Sequence, residues 1–126
     1  MADLVSALGV SASGMEAQAA RLRHVSENIA NADTPGYRRK VIGFDLAAAT
    51  GQVTPGPVTL DRSELRSIYD PGNPLADEAG NVQGSNVDLV IEIADAREAQ
   101  QGYEANLRLF DQVRQMTQSL FDLLRR

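Results

Sequence analysis

The sequence has no cysteine and a single histidine, His24, in 126 residues. Without cysteine the chain can form neither a disulfide nor a thiolate metal site, and one histidine excludes a multi-histidine site. Aromatic residues make up only 5% of the chain and hydrophobic residues 43%, which suits one modest domain with a thin core. We therefore expect no large enclosed active-site cavity and no catalytic or metal-binding role for His24.

The sequence also lacks the features of several protein classes. Residues 1–18 contain no basic segment followed by a continuous apolar run, so a cleaved signal peptide is not predicted. No run approaches the roughly 20 apolar residues that a membrane-spanning helix needs. The net charge of −5 gives no general attraction to nucleic acid, and there is no catalytic set or phosphate-binding loop. We expect no enzyme activity, no cofactor, no metal, no nucleic acid and no small-molecule substrate.

The first long apolar pattern, in residues 3–32, has helical spacing. Its members are alternately four and three residues apart, which is the period of a coiled-coil seam. The larger residues of this predicted seam are Leu8, Met15, Leu22 and Ile29. Small residues stand between them and would let a partner helix approach closely.

A second and stronger helical pattern occupies residues 88–124. Its seam, again with alternating spacings of four and three, consists of Leu109, Val113, Met116, Leu120 and Leu123. Flanking residues widen the seam, among them Phe110 and Leu124. At about 100° per residue these positions cover an arc of roughly 200°, about twice what a surface helix needs. We predict that the first helix covers one stripe of this apolar arc and that a second stripe of the same arc packs against further protein chains.

Residues 33–87 contain all five prolines and seven of the ten glycines, which predicts loops and short strands. Residues 58–60 and 65–69 are predicted to pair as a hairpin, and residues 70–72 to form a turn in which Gly72 would tolerate positive φ. The predicted fold is mainly α, with long N- and C-terminal helices paired as a coiled-coil layer and a small loop and β-hairpin middle segment. The predicted division is a helical core of residues 1–32 and 88–126, with the middle segment at residues 33–87.

The stretch NIANADTPGYRRK carries dense turn chemistry where the first helix ends. Asn28 and Asn31 are three residues apart, so both amides lie on one helix face near the turn, and Asn31 is predicted to be a left-handed cap. A type II turn fits the next four residues, which are Thr34, Pro35, Gly36 and Tyr37. Its third residue, the glycine, is predicted to take positive φ. We predict that this turn orients the middle segment relative to the helices.

Arg38, Arg39 and Lys40 follow the turn directly. The interpretation we favour is a solvated basic patch, and the alternative is a contact with acidic residues of a neighbouring subunit. On the second helix, Asn106 falls on the apolar face, where a polar side chain can fix the register between helices. Tyr103 is predicted to be a packing residue whose hydroxyl finds a partner.

These stretches resemble signatures of the flagellar basal-body rod and hook family, in which Asn-Ile-Ala-Asn followed by Thr-Pro-Gly-Tyr closes the N-terminal helix. The opening SALGVSASGMEAQ also resembles the family, as does the closing YEANLRLFDQVRQMTQSLFDLLR, with Tyr103 and Asn106 at matching positions. Residues 69–93 and the short length resemble the proximal-rod members. Asn73 and Asn81 depart from that pattern, and the shortened NADTPGY is similar to the sister protein FlgB, which stays open as an alternative.

The resemblance implies a structural subunit of the proximal rod, the periplasmic drive shaft that transmits torque. It implies terminal helices packed in a layer around the central export channel, with the middle segment outside. The implied partners are further copies of the chain, the rod proteins FlgB, FlgF and FlgG, the FliE adaptor and the membrane-ring proteins. It also implies export by the flagellar type III apparatus without a cleaved signal peptide.

A soluble helical-hairpin chaperone is the alternative from another class. Two paired helices with a small β segment that mediates oligomerisation fit the same coarse pattern. The wide apolar arc of the second helix favours a layered assembly, because a chaperone arm needs accessible helix tips. The two classes differ in solution, since a chaperone should form a closed oligomer of fixed size.

Overall fold

Two long antiparallel helices form the body of the protein, and short strands occupy the segment between them. The computed structural model describes residues 2–125. In chain order the elements are α1 (Ala2–Ala30), β1 (Lys40–Leu46), β2 (Val53–Leu60), β3 (Ser67–Tyr69), β4 (Asn81–Gln83) and α2 (Leu89–Leu124). This confirms the predicted architecture of terminal helices with a small antiparallel middle. Within residues 2–125, no helix is long and apolar enough to cross a membrane.

Polar side chains define the two helix ends that face the middle segment. The carboxylate of Asp88 caps α2 by accepting a hydrogen bond from the N–H of Val90. At the end of α1, the side-chain amide of Asn31 donates to the carbonyl oxygen of Glu27 at 2.8 Å. The predicted left-handed conformation of Asn31 is wrong, because only glycines take positive φ in the described chain. Asn31 therefore caps α1 with its side chain, without a left-handed backbone.

The middle segment forms two separate two-stranded antiparallel sheets, β1-β2 and β3-β4. In the first sheet Lys40 lies opposite Leu60, and in the second Ser67 lies opposite Gln83. The predicted hairpin between residues 58–60 and 65–69 is therefore wrong. The physical reason is the length of the strands. Because β1 has seven residues and β3 has three, β2 forms more cross-strand pairs with β1 than it could with β3, and each pair adds stabilising contacts.

The turn predicted at residues 70–72 is present, and its glycine does not use positive φ. The N–H of Asn73 donates to the carbonyl oxygen of Asp70 at 3.1 Å, which closes the turn. Gly72 does not take positive φ, because a type I turn needs none at its third residue. Positive φ occurs instead at Gly80 (φ 82°), where the chain returns to β4.

Two glycines let the helices approach closely. A Cβ atom built on Gly14 would lie 2.7 Å from the side-chain amide of Asn106, and one built on Gly102 would lie 2.8 Å from that of Gln18. Each amide therefore occupies space that a glycine on the opposite helix leaves free. The position of Asn106 against Gly14 supports its predicted role in helix register. The α1 residues that contact α2 include Gly14, Gln18, Arg21 and Asn28, and the buried Ser11 and Val25 continue their spacing, so that these six residues form one buried or half-buried stripe.

The predicted seam of α1 lies beside this stripe, one residue further along the chain. Leu8, Met15 and Leu22 are half-buried, and Ile29 is exposed. The seam that was predicted to pack on α2 is therefore displaced by one residue from the stripe that does so. The reason is that two closely approaching helices need small residues between them, whereas the prediction was based on large apolar ones. The coiled-coil character of the pairing stays a prediction.

The predicted seam of α2 turns away from α1 along the helix. Phe110 and Val113 are half-buried. The exposed members are Leu109, Met116, Leu120, Leu123 and Leu124. Leu109 and Met116 each lie three residues beyond a half-buried residue, Asn106 and Val113, so they fall beside the stripe of α2 that packs on α1. The predicted packing of these residues against other chains stays a prediction.

Candidate functional site

The largest fully buried side chain of the described chain is a carboxylate, that of Glu92 on α2. It lies beside Asn28, which is also fully buried, in the last turns of α1. Together with Tyr37 and Arg39 from the segment after α1, these residues form what we call the polar cluster. It joins both helices to the start of the middle segment.

Asn28 uses both ends of its side-chain amide. Its Oδ1 accepts hydrogen bonds from the hydroxyl of Tyr37 and from the backbone N–H of Lys40, both at 2.8 Å. Its Nδ2 donates to the carbonyl oxygen of Lys40 at 3.0 Å and to Glu92 Oε2 at 3.2 Å. One side chain therefore fixes the turn, the first residue of β1 and the first turn of α2. As predicted, the amide of Asn28 lies close to the turn, where it accepts a hydrogen bond from the hydroxyl of Tyr37.

Arg39 supplies the positive charge that opposes Glu92. Its Nε donates to Glu92 Oε1 at 2.6 Å, and its terminal nitrogens lie 3.4 Å from carboxylate oxygens of Asp61 and Asp95. The backbone N–H of Arg39 donates to Asn86 Oδ1 at 2.7 Å. A carboxylate this deeply buried is stable only when it is paired and hydrogen-bonded, and Arg39 and Asn28 meet both conditions.

The ionisation of the site follows from these contacts. Burial alone would lower the pKa of Arg39, but its hydrogen bonds and charge interactions with Glu92 and Asp61 outweigh burial and raise the pKa above its ordinary value. Burial raises the pKa of the Tyr37 hydroxyl. Beside the cluster, the hydrogen bond between Lys40 and Glu27 lowers the pKa of Glu27 and raises that of Lys40. Arg39 and Lys40 therefore stay positively charged, Glu27 stays negatively charged and the Tyr37 hydroxyl stays neutral near neutral pH.

The interpretation of the basic run as a solvated patch is wrong, whereas a contact with a neighbouring subunit stays a prediction. Arg39 and Lys40 form ion pairs within the chain, Lys40 with Glu27 at 2.6 Å. Arg38 donates to the carbonyl oxygens of Asp61 and Ser63 at 3.3 and 3.0 Å. The acidic partners come from distant parts of the sequence, so residue spacing alone could not reveal them.

The turn after α1 has the predicted geometry. The N–H of Tyr37 donates to the carbonyl oxygen of Thr34 at 3.2 Å, and Gly36 has a φ of 74°. Pro35 and Gly36 are thus the two central residues of a type II turn. The N–H of Gly36 also donates to the carbonyl oxygens of Gln83 and Gly84 at 3.1 and 3.2 Å, which docks the turn on the end of β4.

The remaining predicted residues lie at the edge of this site or outside it. Asn31 accepts a hydrogen bond from the Thr34 hydroxyl at 3.1 Å and so belongs to the turn. Asn106 is half-buried between the helices and donates to the carbonyl oxygen of Gly102 in its own helix at 2.9 Å. Tyr103 is partly exposed, and within the described chain its hydroxyl makes no hydrogen bond.

Sequence reasoning missed Glu92 and its partner Arg39. A signal was available, because Glu92, Ala99, Asn106 and Val113 are spaced seven residues apart and all face inward. Small and polar residues at heptad spacing indicate a closely approaching pair of helices as clearly as large apolar ones do. A charged residue in such a stripe then requires an opposite charge nearby.

Two protein-family models match the two segments of the chain that form the polar cluster. A family model described as "Flagella basal body rod protein" matches residues 8–38, and one described as "Flagellar basal body rod FlgEFG protein C-terminal" matches residues 78–123. The first contains Asn28 and Tyr37, and the second contains Glu92. The matched segments are therefore the two that meet in the polar cluster.

Whole-chain relatives agree with these matches. The chain is 44% identical to the flagellar basal-body rod protein FlgC of Agrobacterium fabrum, over 99% of the chain and 98% of the relative. It is 36% identical to FlgC of Aquifex aeolicus over 97% of the chain and 98% of the relative. It is 35% identical to FlgC of Salmonella typhimurium over 90% of the chain and 92% of the relative.

Proposed function

The chain belongs to the FlgC family of flagellar basal-body rod proteins, and we propose that its two helices form the core layer of the rod. It is a structural subunit of the flagellar basal-body rod, in a family of structural proteins and not of enzymes. The relatives described above are FlgC proteins, which favours this subfamily over the sister protein FlgB.

The observation that carries the proposal is an exposed apolar surface on α2. Large apolar side chains near its C-terminus are 41–75% exposed although the helix is paired with α1. They are Leu109, Met116, Leu120, Phe121, Leu123 and Leu124. A contiguous apolar surface is unfavourable in water unless another protein covers it. We infer that neighbouring rod subunits cover this surface.

The total surface area supports the same inference. The chain exposes 8700 Å², whereas area scaling gives about 6,600 Å² for a compact monomer of this mass. The excess of about 2,000 Å² is of the size that stable protein–protein interfaces bury. The chain therefore exposes enough surface to form interfaces with several neighbouring subunits.

The finer features of the proposal follow the rod plan. We infer that the helices of residues 1–32 and 88–126 form one unit around the export channel of the proximal rod, with residues 33–87 outside, and that the layer transmits torque. The proposed partners are further copies, FlgB, FlgF, FlgG, the FliE adaptor and membrane-ring proteins. The proposed location is the periplasmic rod, reached through the type III export apparatus without a cleaved signal peptide.

Deletion of the gene in the source bacterium tests the proposal. We expect loss of swimming and, by electron cryotomography, basal bodies without a complete rod, both restored by the wild-type chain. Normal rods in the deletion strain would overturn the proposal.

A matched pair of variants then tests the apolar surface. In the deletion strain, a chain with Leu109→Ser and Met116→Ser should be synthesised but should fail to restore swimming, because a neighbouring subunit no longer gains apolar burial. Gln112→Ser with Gln115→Ser changes exposed polar residues of the same helix and should restore swimming fully. Equal swimming of the two strains would show that the surface is not an interface.

A further inference from the structure

The burial pattern in the first turn of α2 is the reverse of that in an ordinary amphipathic helix, because apolar side chains are exposed and a charged one is buried. Its apolar residues Leu89, Val90, Ile91 and Ile93 are 47–76% exposed. Glu92, in the same turn, is fully buried. Burial of apolar surface normally sets the rotation of a helix about its axis, and here it would favour the opposite arrangement. Another interaction must therefore hold this turn.

The polar cluster supplies that interaction, and its hydrogen bonds have a fixed direction. Glu92 accepts from Asn28 Nδ2 and from Arg39 Nε, and both donors lie outside α2. The amide of Asn28 cannot flip, because its Oδ1 already accepts from the N–H of Lys40 and the hydroxyl of Tyr37. A flipped amide would place its oxygen against the carboxylate and the carbonyl oxygen of Lys40, and its NH₂ group against the N–H of Lys40, which cannot accept. Only an acceptor at position 92 fits the two donors.

We propose that Glu92 is a positioning residue that sets the rotation of the first turn of α2 and keeps its apolar side chains outward, for contact with a neighbouring rod subunit. The contact with a neighbour rests on the function proposed above, whereas the rotation is a property of the single chain. Buried ion pairs are often no more stabilising than apolar residues of similar volume, so stability alone does not account for a carboxylate here. Its directional bonds specify one rotation of the helix, which apolar packing would not do.

The first test uses the single chain, so its result does not depend on rod assembly. The sequence has no cysteine, so Ile91→Cys or Ile93→Cys introduces a unique thiol whose alkylation rate reports its exposure. Glu92→Gln keeps one acceptor oxygen and replaces the other with an NH₂ group, which faces the donor of either Asn28 or Arg39 and should rotate the turn. We expect the alkylation rate at one of the two positions to fall by about fivefold or more as that side chain becomes buried. Unchanged rates at both positions would overturn the proposal.

A reversal of hydrogen-bond polarity distinguishes positioning from general stability. Asn28→Asp combined with Glu92→Gln exchanges donor and acceptor between the two residues and leaves an acceptor for Tyr37 and for the N–H of Lys40, but it loses the hydrogen bond from Asn28 Nδ2 to the carbonyl oxygen of Lys40. The double variant should therefore recover part of the alkylation rate that Glu92→Gln loses. A double variant that behaves as the worse single variant would overturn the proposal.

The same variants in the deletion strain test the contact with a neighbour. Glu92→Gln should reduce swimming and the number of complete rods, and the double variant should recover part of both. Glu98→Gln is the control, because Glu98 is an exposed carboxylate on the same helix whose one ion pair within residues 2–125 is with Arg21, at 3.4 Å. Full swimming with Glu92→Gln would overturn the assembly part, and intact rods in the deletion strain itself would refute the proposed function instead.

Discussion

The two ends of the helix pair are held by different forces. At the closed end, where α1 meets the start of α2, Arg21 and Asn28 bind acidic residues of α2. At the open end, which joins the start of α1 to the C-terminal part of α2, no hydrogen bond or ion pair links the helices in residues 2–125, and large apolar side chains are exposed. Directional contacts thus specify the fold of the single chain at one end. Apolar surface at the other end is left for assembly, as we propose for a rod subunit.

The largest loss of stability should follow from breaking the closed end. Arg39→Met leaves the buried carboxylate of Glu92 without its countercharge, and such an uncompensated charge costs about 3–5 kcal/mol. We expect the free energy of unfolding, measured by urea denaturation at pH 7, to fall by about 3 kcal/mol. Arg38→Met is the control: it removes two hydrogen bonds to carbonyl groups, one exposed and one partly buried, and leaves no buried charge unpaired, so it should cost about 1 kcal/mol. Equal losses for the two variants would contradict the comparison.

The features of the two ends that could be predicted from the sequence are those that depend on local residue patterns, and those that depend on distant contacts could not. Helical periodicity gave both helices, and Pro35-Gly36 gave the turn, because these are local properties of the chain. The pairing of Arg39 with Glu92 spans 53 residues, and β1 with β2 competed with another plausible hairpin, so neither could be read locally. The helix seam was misplaced because the helices make contact at Gly14 and Gly102, where side chains of the opposite helix fill the space that each glycine leaves free. A pattern of large apolar residues does not reveal such contacts.

A smaller loss should follow from separating the helices in the middle. Gly14→Val places a branched side chain where the amide of Asn106 lies, 2.7 Å from the new Cβ atom. Overpacking of this kind costs about 1–3 kcal/mol, measured as a lower urea midpoint with an unchanged slope. Ala12→Val on the exposed face of the same helix is the control and should cost only its lower helix propensity, about 0.5 kcal/mol. If both variants lose the same amount, the helices do not approach closely at Gly14.

The turn that leaves the closed end should be sensitive to backbone conformation alone. Gly36 has a φ of 74°, and within residues 2–125 no atom beyond its own and the two adjacent residues lies within 4 Å of the position that a Cβ would take there, so Gly36→Val is strained by its own backbone and not by distant neighbours. The expected cost is about 1–2 kcal/mol, and we expect rod assembly to be reduced more than synthesis of the chain. Gly72→Val is the control, because Gly72 is equally open but does not have positive φ. Normal motility and intact basal bodies with Gly36→Val would refute the orienting role of the turn.

The smallest effect on the single chain is expected at the open end, where assembly should suffer most. Leu123 is 62% exposed, so Leu123→Ser removes little burial and should change the free energy of unfolding by about 0.5 kcal/mol or less. Val25→Ser makes the opposite comparison, because Val25 is buried near the closed end and its replacement should cost about 2 kcal/mol or more. If Leu123→Ser abolishes swimming while Val25→Ser only lowers the amount of folded chain, stability and assembly reside at different ends of the same helix pair. If Leu123→Ser destabilises the free chain as strongly as Val25→Ser, the open end belongs to the core of the single chain, and the division of roles between the ends is wrong.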